Sequence, residues 1–254
     1  MTGILLSGCN GKMGKVITAA AANTDDIEIV GGIDLNTEAS AGYPVFASPA
    51  EVASEVIART DVIIDFSNPS AFAGLIEFAV KAAKPAVFAT TGLNEAQLTL
   101  LHHAADKIPV FFAANMSLGV SLISELAQKA AKVLGKDFDI EIVEMHHNQK
   151  VDAPSGTALM LADSIKEALG EDMRYEYDRH AKREKRGKNE IGIHSVRGGT
   201  ITGEHEIIFA GHDEIIKISH SARSKELFAT GAINAARFLC GKPAGLYGMK
   251  ELIG

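Results

Sequence analysis

Seven residues, Gly8-Cys9-Asn10-Gly11-Lys12-Met13-Gly14, constrain this chain more than any other stretch. They follow the apolar run Ile4-Leu5-Leu6 and open an alanine-rich segment of helical period. Glycines at such a strand-to-helix turn let the chain reverse tightly and bring backbone N–H groups to an anion at the positive end of the helix. The spacing is G-x-x-G-x-x-G and not the commoner G-x-G-x-x-G, with Asn10 where a glycine often stands. Asn is the residue other than Gly that best tolerates a left-handed backbone. A turn that merely packs a helix on a strand would show the same glycines. Asp34 weighs against that bland reading. It closes a second strand-like run 20 residues past Gly14, where an acidic side chain accepts hydrogen bonds from the adenine-ribose hydroxyls of a dinucleotide and repels a 2′-phosphate. Leu35 and Asn36 follow it, with no Arg. The pattern predicts NADH in preference to NADPH, with Lys12 keeping dual use open.

Around this turn the first half alternates short β-rich runs with longer alanine-rich helical ones. Strands are predicted at residues 4–7, 27–33, 62–66, 86–89 and 110–113, and helices at 12–22, 71–82 and 95–105. Asn94 is the expected N-cap of the last of these helices, and Ser70 that of the one opening at Ala71. Such alternation predicts a parallel sheet with helices on both faces, a Rossmann-type α/β domain. Ligands bind beyond the carboxyl ends of such strands. The loops Ala89-Thr90-Thr91-Gly92 and Ala113-Ala114-Asn115-Met116 are therefore expected to line the nicotinamide, although each taken alone reads as an ordinary loop. After Asn115 the character changes. A helix over 118–134 ends at Gly135, and Asp139-Ile140-Glu141-Ile142-Val143-Glu144 alternates apolar and polar like a strand with one wet face. A helix near 156–168 and strands at 191–197, 204–210 and 214–220 complete an α+β domain with a mixed sheet. The charged stretch 171–190 reads as a mobile connection, and a final helix, 224–239, as one that returns to the first domain. Residues 1–116 with 224–254 are expected to form the dinucleotide-binding domain. Residues 117–223 are expected to form a substrate-binding and oligomerisation domain.

The formal net charge of −7 carries no long basic run to offset it. Nucleic acid is thereby excluded as the main partner, because neutralising phosphates takes clustered Lys and Arg. The one basic cluster, Arg179 to Lys188, reads as a solvated loop. The chain opens directly into a strand-like run, with no basic leader and no apolar stretch long enough for a membrane span, so no membrane partner is expected. Cys9 and Cys240 are the only cysteines. They make neither a disulfide framework nor a zinc motif, and a reducing cytoplasm is the expected location. Cys240 reads as a packed small hydrophobe.

The densest chemistry lies in Glu144-Met145-His146-His147-Asn148-Gln149-Lys150-Val151-Asp152-Ala153-Pro154-Ser155-Gly156-Thr157. Two histidines and a lysine leave a strand just before a helix start at which Ser155 is the expected N-cap. The N–H groups of Gly156 and Thr157, with the charge of Lys150, make a pocket for a small carboxylate. Lys150 can serve as an acid as well as an anion ligand, and a histidine can do either task. Two blander readings stand beside this one: hydrogen-bonded surface histidines, or a metal on His146, His147 and Asp152, which lack H-E-x-x-H spacing and a cysteine partner. His102 and His103 read as structural, and His180, His194, His205, His212 and His220 carry no motif.

The run Glu144 to Ala158 resembles the signature of the bacterial dihydrodipicolinate reductases. The likeness extends to the Gly8–Gly14 loop, Thr90-Thr91-Gly92, Ala113-Ala114-Asn115, Arg197-Gly198-Gly199 and Gly203-Glu204-His205. The resemblance implies an NAD(P)H-dependent reduction of 4-hydroxy-tetrahydrodipicolinate, a small cyclic dicarboxylate, with loss of water, in lysine and diaminopimelate biosynthesis. It implies His146 as general acid/base, Lys150 as proton donor, and His147, Gly156 and Thr157 as ligands of a substrate carboxylate. It places the dinucleotide against Gly8, Cys9, Asn10, Gly11, Lys12, Met13, Asp34, Ala89, Thr90, Thr91, Ala113, Ala114, Asn115 and Met116, and it implies a homotetramer joined through the sheets of the second domain. Where many members carry a longer acidic or arginine-bearing loop after the second strand, this chain has Asp34-Leu35-Asn36. Three other readings share these residues: a Rossmann reductase of another substrate, an NADH-binding sensor without turnover, and a metal hydrolase.

Overall fold

A computed structural model describes residues 1–38, 42–170 and 172–254. The chain divides into two compact units, Met1–Leu118 with Lys225–Gly254, and Gly119–Ser224.

The first unit begins with β1 (Thr2–Ser7), α1 (Lys12–Ala22), β2 (Ile27–Ile33), β3 (Val45–Phe46), α2 (Ser54–Arg59), β4 (Val62–Asp65) and α3 (Pro69–Lys81). It continues through β5 (Ala86–Phe88), α4 (Glu95–Ala105) and β6 (Pro109–Phe112). Among the described residues seven strands form one parallel sheet, and β12 (Gly245–Tyr247) is its outer strand beside β6. The order β12-β6-β5-β4-β1-β2-β3 reverses direction at β1, the switch point outside which such sheets bind ligands. Ile4, Leu5, Leu6, Ile63 and Ile64 are wholly buried, as strands covered on both faces must be. One face carries α1, α8 (Met249–Ile253) and α7 (Glu226–Leu239), the helix that returns late in the sequence; the other carries α2, α3 and α4. In α7 the small side chains of Ala229, Ala232, Ala235 and Ala236 are fully buried, which lets the helix lie close on the sheet and α1.

Capping follows the sequence at α4, where Asn94 accepts from the Gln97 N–H and Gln97 reaches back to the Asn94 N–H. It departs at α3. The helix starts at Pro69, and Asn68, not Ser70, is the cap, accepting from the Ser70 N–H at 3.0 Å. Proline suits the first helical position because its missing donor is not needed there, so the cap lies one residue before it.

The second unit holds α5 (Leu118–Leu134, its first residue counted with the first unit), β7 (Asp139–His146), α6 (Gly156–Leu169), β8 (Arg174–Glu176), β9 (Glu190–Arg197), β10 (Gly203–Ala210) and β11 (Ile215–Ala222). The five strands among the described residues run β11-β10-β7-β9-β8, antiparallel on one side of β7 and parallel on the other. Helices α5 and α6 bury Ile140, Ile142, Ile191, Ile193, Ile207 and Phe209 beneath one face. Gly135, with φ +62°, ends α5.

Residues 171–190 correct the sequence reading. Glu171 lies outside the described residues, but β8 pairs in register with β9, and Arg186 is tied down. Its guanidinium donates to Asp139 and Glu141 (2.9 Å each) and to the carbonyls of Ile140 (2.8 Å) and Glu190 (2.6 Å). The rest of 179–188 is largely exposed, yet this fork of charge-assisted bonds fixes its far end. Cys240 also departs from expectation: it is exposed just after α7.

Candidate active site

In the first unit, β1 delivers the glycine turn to the switch point. Gly8 has φ +77°, and a β-carbon there would lie 2.7 Å from the Phe66 carbonyl oxygen. At Gly14 it would lie 2.2 Å from the Gly8 carbonyl oxygen, so helix and turn touch only because no side chain intervenes. Gly11 caps α1 without a side-chain acceptor, which leaves the positive end of the helix to a ligand. Asn10 does not have a left-handed backbone. Its N–H donates to Asp34 Oδ2 (3.0 Å), and its amide reaches the carbonyls of Asn36 (2.6 Å) and Glu38 (3.1 Å), so it ties the first loop to the second. Asp34 also accepts from the Asn36 N–H. Cys9 turns its thiol into the core, where burial, reinforced by the charge of Asp34, pushes it up to about 11; only its backbone faces the turn.

Two clefts lie at the carboxyl ends of these strands. One, of about 590 Å³, is lined by Gly8, Gly11, Asp34, Leu35, Ser67 and Asn68 among others. The other, of about 340 Å³, brings together Met13, Ala89, Thr90, Thr91, Ala114 and Met116, with Phe66, Ser67, Lys225 and Phe228. Ala113 and Asn115 do not line it; Asn115 instead accepts from the Ser117 N–H. Lys12 is exposed at the first turn of α1. The Thr90 hydroxyl points inward and donates to the buried Asp65 at 2.5 Å. Phe66, Ser67 and Asn68 were missed in the sequence, although the rule that picked the loops after β5 and β6 applies equally after β4. Ser67 Oγ is buried without a partner among the described residues, and it borders both clefts. A glycine cradle, an uncapped helix end and an orphan hydroxyl fit a dinucleotide.

In the second unit, β7 and the start of α6 assemble a polar cluster. The alternation of β7 keeps Ile140 and Ile142 inward and so turns Val143 and Met145 outward and Glu144 and His146 inward. Glu144 is 0% exposed. Its Oε2 faces His146 Nδ1 at 2.6 Å and accepts from Arg197 Nη1 at 2.8 Å, while Oε1 accepts from Arg197 Nη2 (2.7 Å) and the Ser155 N–H (3.1 Å). Burial alone would raise its pKa, but the bonds from Arg197, Ser195 and His146 hold it down at about 2. Ser155 caps α6 as expected, accepting from the Ala158 N–H, and its hydroxyl meets His205 Nε2 at 3.0 Å. Burial and the neighbouring His146 push His205 down to about 4, so it is neutral at pH 7. Its ring stands edge-on to His146, centroids 5.3 Å apart.

Gly156 and Thr157 open α6, and Lys150 leaves the β7 turn with its ammonium 2.9 Å from the exposed carboxylate of Asp152. His147 follows His146, its Nδ1 buried and without a partner among the described residues. The sequence brought His146, Lys150 and the helix start into view. It did not mark Glu144, Arg197 or His205 as one network, because their partners are some 50 residues apart. Among the described residues no group of three His, Cys, Asp or Glu side chains is placed to hold a metal ion.

Comparison with known proteins places both units. The family model "Dihydrodipicolinate reductase, N-terminus" matches residues 2–116, and "Dihydrodipicolinate reductase, C-terminus" matches residues 119–253. A 4-hydroxy-tetrahydrodipicolinate reductase of Caldanaerobacter subterraneus subsp. tengcongensis is 51% identical, over 100% of this chain and 98% of the relative. One from Clostridium tetani is 48% identical over 98% and 96%. The dipicolinate-bound dihydrodipicolinate reductase from Paenisporosarcina sp. TG-14 superposes with a TM-score of 0.80 at 27% identity, covering 99% of each chain. With both family models matched across nearly its whole length and relatives near half-identity throughout, this chain belongs to the dihydrodipicolinate reductase family.

Proposed function

We propose that this protein reduces 4-hydroxy-tetrahydrodipicolinate to tetrahydrodipicolinate, with release of water, in the biosynthesis of diaminopimelate and lysine. The observation that carries the reading is the second unit's cluster. It sets a lysine, a carboxylate-paired histidine and a capped helix N-terminus along one short stretch, as a small dianionic substrate requires. Gly156, Thr157, His147 and Lys150 hold a substrate carboxylate, which displaces Asp152 from the Lys150 ammonium. His146 and Lys150 exchange the proton that the departing hydroxyl consumes.

The cofactor is a nicotinamide dinucleotide held by the first unit. Gly8–Met13 take the pyrophosphate, Asp34 the adenine ribose, and Ala89–Thr91 with Ala113–Met116 the nicotinamide end. When bound, the reduced nicotinamide supplies a hydride. Asp34, with Leu35 and Asn36 after it and no arginine, favours NADH. In the second unit the sheet face opposite α5 and α6 presents Val143, Met145, Val196 and Ile208, which supports assembly of a homotetramer through that sheet.

The test follows absorbance at 340 nm with freshly generated dicarboxylate and either cofactor. Oxidation that depends on the dicarboxylate, faster with NADH, is the expected result. Dinucleotide binding without oxidation would refute the substrate assignment. In Lys150→Ala, kcat should fall by about 10²-fold or more while dinucleotide affinity stays within about twofold. Unchanged turnover would remove Lys150 from the proton path.

A further inference from the structure

We propose that Glu144 is the positioning residue of this site: its one carboxylate locks the His146 ring in the tautomer that leaves Nε2 as the proton-exchanging nitrogen, and it fixes the start of α6. The proposal deepens the reading above and rests on His146 handling a proton.

The argument starts from the cost of the arrangement. A carboxylate taken wholly out of water is destabilising unless every oxygen is paired, and a buried Glu–Arg pair often gains nothing over apolar residues of the same volume. Here both oxygens of Glu144 are paired. Two bonds come from the Arg197 fork, one from the Ser155 N–H and one from His146 Nδ1, and the Ser195 side chain bonds the same carboxylate. Arg197 is held in turn by the Asp152 carbonyl at 2.6 Å. The carboxylate thus joins β7, β9 and the first turn of α6, the elements that carry the histidine and the anion cradle. An ionised carboxylate can only accept, so Nδ1 must carry a proton whether the ring is neutral or charged. Proton exchange is confined to Nε2.

Two neighbours agree with that assignment. A β-carbon at residue 203 would lie 3.1 Å from His146 Nε2, so Gly203 keeps the Nε2 edge open. His205, standing edge-on to the same ring and bonded to the Ser155 hydroxyl, is uncharged and places no second cation against a protonated His146. The groups facing His146 are therefore Glu144 on its own strand, Arg197 on β9 and His205 on β10.

The test is the tautomer of His146, read from two-bond nitrogen–proton correlations of histidine-labelled protein, with a His146→Gln variant to assign the signal. The neutral ring in the resting protein should show Nδ1 protonated and Nε2 bare. A proton on Nε2 in the unsubstituted protein would overturn the proposal without any variant or turnover. In Glu144→Gln an amide N–H₂ can replace the acceptor at Nδ1. The signal should then switch to the Nε2–H form, and kcat should fall by about 100-fold or more, with KM for the dicarboxylate within about threefold. An unchanged tautomer and kcat in a folded variant would also overturn it. If the protein oxidises no cofactor with the dicarboxylate, the substrate reading fails while the tautomer still tests Glu144.

Discussion

A methyl group added at Gly14 would meet two backbone oxygens, those of Gly8 at 2.2 Å and Cys9 at 2.4 Å, neither of which can turn aside. Gly14→Ala should therefore weaken dinucleotide binding at least about tenfold and cost roughly 1–3 kcal/mol of stability, measurable by calorimetric titration and thermal melting. His205 makes a prediction in pH. Its ordinary value of 6.5 is pushed down to about 4 by burial and by His146, so between those values the unfolded chain binds a proton that the folded chain does not. Stability is complete above pH 6.5 and falls as the pH drops towards 4, by on the order of 3 kcal/mol. Glu144, held down at about 2, adds a further loss between about pH 4.5 and 2, because its bonds to Arg197 and His146 need the ionised form. A His205→Gln variant should lose less stability between pH 6.5 and 4 in denaturant titrations; an equal loss would refute the assignment. The glycine turn was legible in the sequence, whereas the pairing around Glu144 and His205 was not. The apolar-polar rhythm of Asp139–Glu144 marked a strand, but the final Val143-Glu144 pair enters the sheet with the charge inward, and only the phase set by Ile140 and Ile142 decides that. Asn10 was read for its backbone tolerance, and its work is done by its side chain.

Elements were easier to read when they were long. The helices α1, α4, α5 and α6 announce themselves by period, and α4, α5 and α6 also by a cap residue, whereas β3, β8 and β12, of two or three residues each, carry no period at all. They exist because a neighbouring strand edge offers unpaired backbone groups. Caps differ in what hangs on them. At α4, Asn94 satisfies helix donors at an exposed end, and Asn94→Ala should cost about 1 kcal/mol. At α6, Ser155 caps the helix and also satisfies buried His205 Nε2, so Ser155→Ala removes a cap and leaves a buried nitrogen unpaired. Its cost should be about 2–4 kcal/mol. Urea melts of the two variants provide the comparison, and equal losses would mean that the His205 bond contributes nothing.

At the scale of the whole molecule, α7 decides how the sequence can be divided. The alternation of strands and helices marks the first unit, and the return of an alanine-rich helix was visible in composition. Its buried face includes Ala229, Ala232, Ile233, Ala235, Ala236 and Leu239. Ile and Leu alone contribute about 1.5–3 kcal/mol each when buried, and with the exposed core beneath them the loss approaches the net stability of a domain. A fragment of residues 1–118 should therefore fail to fold. A fragment of residues 117–224, which keeps its sheet, both its helices and its apolar cluster, should give dispersed amide NMR signals and a cooperative melt. A folded, dinucleotide-binding 1–118 fragment would contradict this account.

The position of α7 also orders events during synthesis. A ribosome translating this chain releases the whole of 119–224 before the helix that completes the first unit. The inserted unit can thus settle while the earlier strands, already translated, still lack their cover. Strand-rich intermediates with an open apolar face are the species that chaperones hold. The glycine turn, written within the first fifteen residues, should become able to bind a dinucleotide only after residue 239 has left the exit tunnel, so a message truncated anywhere before that should yield no dinucleotide-binding product.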